Sequence, residues 1–291
     1  MVEEARALTL IVPTTKSPPR AWATANAIRE QARAHDAEIL VATGSEVATP
    51  APPEPCRVLH YPGADVFELR ARAVGDARGE IIAILEDHNF AADDFCARVL
   101  AAFDEHPDAD GIVGTATNGA TGLLDRASFL LTWGPFLAPM PDVSLDRCPP
   151  PGVVAFRRSV VPPEMPHRGW LEYELTVELR AQGRLAADDR VRINHVQHLG
   201  LRAFPIQYHA GRGYGGLEHE PRSSIPRMQR VREALSVPGV LVRQTRDGLG
   251  RSGTRESFAC MTIIGAFACC NALGQIVGVL RGPGNSASHL E

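Results

Sequence analysis

The sequence predicts an α/β protein in which a mostly parallel sheet is flanked by helices and followed by a helical C-terminal appendage. Three observations predict it. Apolar runs of strand length alternate with segments of helical spacing through the first half, the most apolar of those runs stops abruptly in a charged turn, and residues 258–280 form a long, nearly uncharged stretch near the C-terminus. Alternation of this kind marks parallel strands covered on both faces by helices.

In chain order, Leu8 to Val12 is an apolar run stopped by Pro13, and residues 20–35 carry Trp22, Ala25, Ile28 and Ala32 on one helical face. Residues 38–42 give a second strand ended by Gly44. The proline-rich stretch 48–55 reads as a loop, after which 57–61 form a third strand and 66–77 a helix. Residues 80–85, EIIAIL, are the strongest buried-strand signal in the chain and stop at Glu86-Asp87-His88-Asn89. A helix over 93–106 places Phe95, Val99 and Phe103 inward, with Asp93 or Asp94 as its cap. Residues 111–114 form a strand, 115–151 are too irregular to place, and 152–156 form another strand. Residues 170–182 form a helix with Leu171, Leu175 and Leu179 inward, and 190–195 alternate like a half-buried strand.

At 291 residues the chain can hold one large α/β domain and an appendage, or two small domains, and composition alone does not choose between them. A formal net charge of −4 provides no global basic field, so nucleic acid is not an expected partner and any anionic ligand must be held locally. Cys56, Cys96, Cys148, Cys260, Cys269 and Cys270 show neither zinc-knuckle spacing nor the density of a disulfide scaffold. The acidic start runs directly into a strand, unlike a secretory signal, and a reduced, cytoplasmic protein is expected.

Ligands of open α/β sheets bind beyond the carboxyl ends of the strands, which is where Glu86, Asp87 and His88 fall. Carboxylate oxygen and imidazole nitrogen suit Mn2+ or Mg2+, ions able to neutralise the charge on a departing diphosphate.

Residues 69–88, LRARAVGDARGEIIAILEDH, resemble the family 2 glycosyltransferases, in which an ARN-x-G…A-R-G-E segment leads into a strand closing on Asp-x-Asp. Ala77-Arg78-Gly79-Glu80 is intact, Arg70 and Arg72 match the two arginines, and Glu86 and His88 take the two metal-associated places. Further likenesses follow in order. LTLIVPT at 8–14 is similar to the family's first strand, where base and ribose lie, and EILVATGS at 38–45 to its second, with Ala42-Thr43 replacing the acidic pair that faces uracil. GVVAFRRS at 152–159 is similar to the strand lining the sugar and acceptor site. LEYEL at 171–175, with Arg180 and Gly183, is similar to the E-D-x-E-L…R…G helix that carries the general base.

The resemblance covers roughly residues 7–216 and implies a GT-A-like, Rossmann-related catalytic domain over 1–216, with 217–291 as its extension. It implies that Glu172 is the catalytic base and that Glu86, His88 and His195 associate with the metal. It implies substrate contacts from Pro13, Thr14, Thr43, Arg70, Arg72, Asp87, Arg157 and Arg158. Residues 208–215 are similar to the flexible basic segment after the catalytic domain, so Arg212 is assigned to the diphosphate. The implied reaction is an inverting transfer from a nucleoside diphosphate sugar to a sugar or lipid-linked acceptor in polysaccharide, glycolipid or glycoconjugate synthesis. A catalytically idle nucleotide-sugar-binding or assembly protein of the same fold is the alternative. A nucleotidyltransferase would carry a Gly-rich loop where Thr14 to Pro19 stand.

Residues 258–280 as a helix would reach about 35 Å, enough to cross a bilayer. Gly274 and Gly278 form a small-xxx-small face, and Arg255 and Arg281 flank the run. Three fates stay open: attachment to the inner face of the membrane, docking on the catalytic domain, or burial in a homo-oligomer. The arginine-rich stretch 218–257 suits an anionic leaflet.

Overall fold

The computed structural model describes residues 6–15, 18–45, 55–140, 154–161, 171–217 and 224–290, with backbone alone at 6, 18 and 171–174. Its elements in chain order are β1 (Arg6–Thr14), α1 (Pro18–Ala34), β2 (Ala37–Thr43), β3 (Cys56–His60), α2 (Val66–Gly75), β4 (Gly79–Ile84), β5 (Asn89–Ala91), α3 (Phe95–Glu105), β6 (Gly111–Asn118), α4 (Leu123–Trp133), β7 (Val154–Arg157), α5 (Leu171–Ala181), β8 (Leu185–His195), α6 (Ala203–Gly215), α7 (Arg227–Ser252) and α8 (Phe258–Arg281). The expected loop at 48–55 lies outside the described residues except for Pro55, and Cys148 lies outside them entirely.

The chain divides into two compact units, residues 1–117 with 138–196 and residues 118–137 with 197–291. Residues 118–137 and 197–216, assigned by sequence to the first domain, therefore belong with the C-terminal helices.

The first unit is built on one eight-stranded sheet of order β3-β2-β1-β4-β7-β6-β8-β5. The strands β3, β2, β1 and β4 run parallel. On the other side β7 is antiparallel to both β4 and β6, and β5 is antiparallel to β8. The sheet is therefore mixed, which corrects the expectation of a mostly parallel one. A short apolar run reports that a strand is buried on both faces, not which way it runs. Leu8, Leu10, Ile11 and Val12 of β1, all seven residues of β2 and Ile81 to Ile84 of β4 are buried, which is why they read as largely apolar runs.

Helix starts are set locally. Asp65 caps α2 by accepting from the N–H groups of Phe67 and Glu68, and Glu68 returns a bond to the Asp65 N–H. Asp94 stands at the expected cap of α3 but makes no cap hydrogen bond; its carboxylate pairs with Arg98 one turn on.

In the second unit, α4 falls in the stretch that the sequence left unplaced. Its N-terminus follows Gly122, and Asp125 accepts from the N–H groups of Leu199 and Gly200. The segment read as flexible at 208–215 is part of helix α6, packed on α8 through glycines from both partners. A Cβ at Gly211 or Gly215 would overlap the carbonyl oxygens of Asn271 or Gln275, and one at Gly274 or Gly278 would overlap those of Tyr208 or Arg212. The glycines lie one helical turn apart on each partner and let the two backbones touch, so a glycine-rich composition gives close packing here.

Candidate metal centre

The strand β4 stays in register with β1 as far as Leu85, whose N–H donates to the Ile11 carbonyl, and the chain then turns so that Asn89 N–H donates to the Glu86 carbonyl. Glu86, Asp87 and His88 occupy this turn at the carboxyl edge of the sheet. The short strand β5, which periodicity did not reveal, then pairs with the end of β8, with Asn89 opposite His195 and the Val196 N–H donating to the His88 carbonyl. That ladder carries His195 to the turn.

Glu86, His88 and His195 each aim one ligand atom at a common point, all within 4.8 Å of one another. His88 Nε2 lies 3.2 Å from His195 Nε2 and 3.2 Å from a Glu86 oxygen. Two ligands bound about 2.0–2.2 Å from one ion stand about 3 Å apart, so the spacing fits a single cation. The donor set, one carboxylate and two imidazoles, fits Mn2+ better than Mg2+, which prefers oxygen.

The electrostatics point the same way. Burial disfavours charge on His88, but the carboxylates of Glu86 and Asp87 outweigh it and raise its pKa to about 9. Burial would likewise raise Glu86, but His88, Arg70 and His195 bring it down to about 2. Burial and the neighbouring His88 charge lower His195 to about 3. One proton is thus shared among converging donors, and a divalent ion can take its place.

Surrounding side chains fix this arrangement. Arg70, buried on α2, donates to Glu86 Oε1 at 2.9 Å. Asp87 accepts from Thr14 Oγ1 at 3.0 Å through one oxygen and lies 2.9 Å from His88 Nδ1 through the other. Asp87, assigned to the substrate by sequence, thus orients His88. Thr14 and Thr43 are fully buried, and Pro13 is buried between neighbouring strands. Thr43 Oγ1 accepts from the Ser45 N–H.

Of the expected contact residues in this unit, Arg72, Arg157 and Arg158 do not converge with Glu86, His88 and His195. Arg72 is two residues from Arg70, hence on another face of α2; it is exposed and lies over the Tyr61 ring. Arg157 and Arg158 are at the far end of β4, because β7 runs antiparallel to it and sets Val154 against Ile84 but Arg157 against Ile81. Arg157 stacks on Phe103 and donates to the carbonyl of Ala109, and Arg158 donates to that of Ala77. Arg212, in the second unit, donates to the Gly282 carbonyl. Glu172 lies on α5 by its backbone, and its side chain is outside the described residues.

The chain matches no protein-family model and no curated protein. Among solved structures, it is similar to a mannosyltransferase, PcManGT from Pyrobaculum calidifontis, with a TM-score of 0.54 at 14% identity, covering 94% of this chain and 88% of that one. TarS of S. aureus, residues 1–349, is similar at a TM-score of 0.46 and 10% identity, covering 93% and 90%. The likeness to the mannosyltransferase structure shows a shared fold. The PcManGT structure holds GDP-Man and Mn2+.

Proposed function

We propose that this protein is a metal-dependent, inverting glycosyltransferase that moves a sugar from a nucleoside diphosphate donor to an acceptor hydroxyl. The convergence of Glu86, His88 and His195 at the carboxyl edge of a glycosyltransferase fold carries this reading. GDP-Man and Mn2+ in the mannosyltransferase of similar fold support a nucleotide-sugar donor and a divalent ion.

Glu86, His88 and His195 would hold the ion, which when bound supplies positive charge to the diphosphate. Asp87 keeps His88 Nδ1 engaged and its Nε2 aimed at the centre, and Arg70 holds Glu86 in its rotamer. Glu172, placed by the family resemblance, accepts the proton of the acceptor hydroxyl as that oxygen bonds to the anomeric carbon. The bond from that carbon to the diphosphate breaks on the opposite face. A cytoplasmic location and a role in glycolipid or polysaccharide synthesis belong to the same proposal.

The test uses purified protein, Mn2+ and a panel of nucleotide sugars. Release of nucleoside diphosphate is expected, suppressed by both Glu172→Gln and His88→Ala. Donor binding without turnover on any acceptor would favour the idle-protein reading.

A further inference from the structure

Every large hydrophobic side chain that is exposed among the described residues belongs to the second unit: Leu123, Leu201, Met228, Leu235, Phe258, Leu273 and Leu280. The described residues of the first unit contribute none. Charge divides in the same way. The second unit holds twelve arginines against seven carboxylate side chains, a net +5, and the first holds 18 basic against 27 acidic residues, a net −9.

The helix α8 concentrates the anomaly. Its 24 residues are long and apolar enough to cross a membrane, yet less than half of the apolar stretch is buried. Placed at 100° per residue, the exposed positions Phe258, Ala259, Thr262, Ala266, Cys269, Leu273 and Leu280 fall on one stripe about 100° wide. No charge lies on it and Thr262 is its only polar side chain. A helix packed on a water-soluble protein turns such positions polar. Here the order is reversed: Gln275 is buried and bonds to Asn271, while the outer face is apolar. Arg255 and Arg281, both exposed, bracket the stripe.

We infer that the second unit docks on an anionic lipid surface, with α8 lying in the plane of the interface and its Phe258–Leu273–Leu280 stripe immersed. The opposite face of α8 is in backbone contact with α6 through Gly274 and Gly278. A spanning orientation would break that packing or draw arginine-rich α7 into hydrocarbon; in-plane seating needs neither. The positive unit on an otherwise acidic chain selects an anionic leaflet over a neutral one. This surface is independent of the transfer chemistry proposed above.

Co-sedimentation of the full chain with phosphatidylcholine vesicles, and with vesicles containing 30% phosphatidylglycerol, tests it. Binding to the anionic vesicles is expected, weakened by salt and by at least about tenfold in the Leu273→Gln/Leu280→Gln protein, whose substitutions lie outside the packed face. Arg255→Gln/Arg281→Gln should lower binding to anionic vesicles only. An unchanged melting temperature shows that the variants are folded. Failure of the wild type to sediment, or a double-leucine variant that sediments equally, overturns the inference. A concentration-dependent dimer lost in that variant, without sedimentation, assigns the stripe to a second copy. Resistance of the bound protein to alkaline carbonate overturns in-plane seating.

Discussion

His88 Nε2 and His195 Nε2, 107 residues apart in sequence, lie 3.2 Å from one another. Two imidazole nitrogens at that distance are stable only with a hydrogen or a cation between them. The three-residue strand β5 brings them together by pairing with β8.

Removing either ring should remove the cation. His195→Ala is expected to lower Mn2+ affinity by about 10–100-fold, so that the Mn2+-induced rise in melting temperature disappears. Differential scanning fluorimetry with a Mn2+ titration and a chelator control measures it. An undiminished Mn2+ shift in His195→Ala would remove that residue from the ligand set.

Asp87 acts through His88. Asp87→Asn preserves shape but removes the charge that holds the ring, and about a tenfold to hundredfold loss in Mn2+ affinity is expected with little change in melting temperature of the metal-free protein. Isothermal titration calorimetry with Mn2+ separates this from a purely structural effect, which would lower the metal-free melting temperature instead.

Arg157 and Arg158 should affect stability, not transfer. Arg157→Ala loses the stack on Phe103 and a bond to the Ala109 carbonyl, a cost of about 1–2 kcal/mol in chemical denaturation. Its kcat/KM is expected to match wild type. A large loss in kcat with unchanged stability would return the residue to the substrate site.

The contact of α6 with α8 tolerates no side chain at its glycines. Gly274→Val would drive a branched side chain into the Tyr208 carbonyl and should destabilise by about 3 kcal/mol or more. Gly265→Ala, on the same helix with open space around it, should be neutral or stabilise by up to about 1 kcal/mol. Denaturant melts of the two proteins give the contrast directly.

The C-terminal segment should respond to acid. His209 stacks on His289 with ring centroids 4.3 Å apart, and burial together with the charges of His289 and Arg212 lowers its pKa below the ordinary histidine value. The neutral form belongs to the folded state, so this stability is complete above a pH of about 6.5 and is lost as the pH falls through the lowered value. The melting temperature should drop between pH 7.5 and pH 5, and His209→Gln should flatten that drop.

Sequence by itself determined the buried strands and the turn they feed. IIAIL is apolar without interruption, and LTLIV nearly so, because β4 and β1 are covered on both faces, and the polar side chains after EIIAIL fall where that burial ends. The long apolar stretch near the C-terminus was equally plain, since hydropathy is a property of composition. Only the tertiary structure decided the rest. Strand direction put Arg157 and Arg158 at the far end of β4, helix phase separated Arg72 from Arg70, and the β5–β8 ladder made His195 the neighbour of His88. The pattern Gly211–Gly215 reads as flexibility along the chain, and Gly274 with Gly278 as a small-residue face for close helix contact. It becomes a rigid contact only when two helices meet, because a missing Cβ has no consequence until another backbone takes its place.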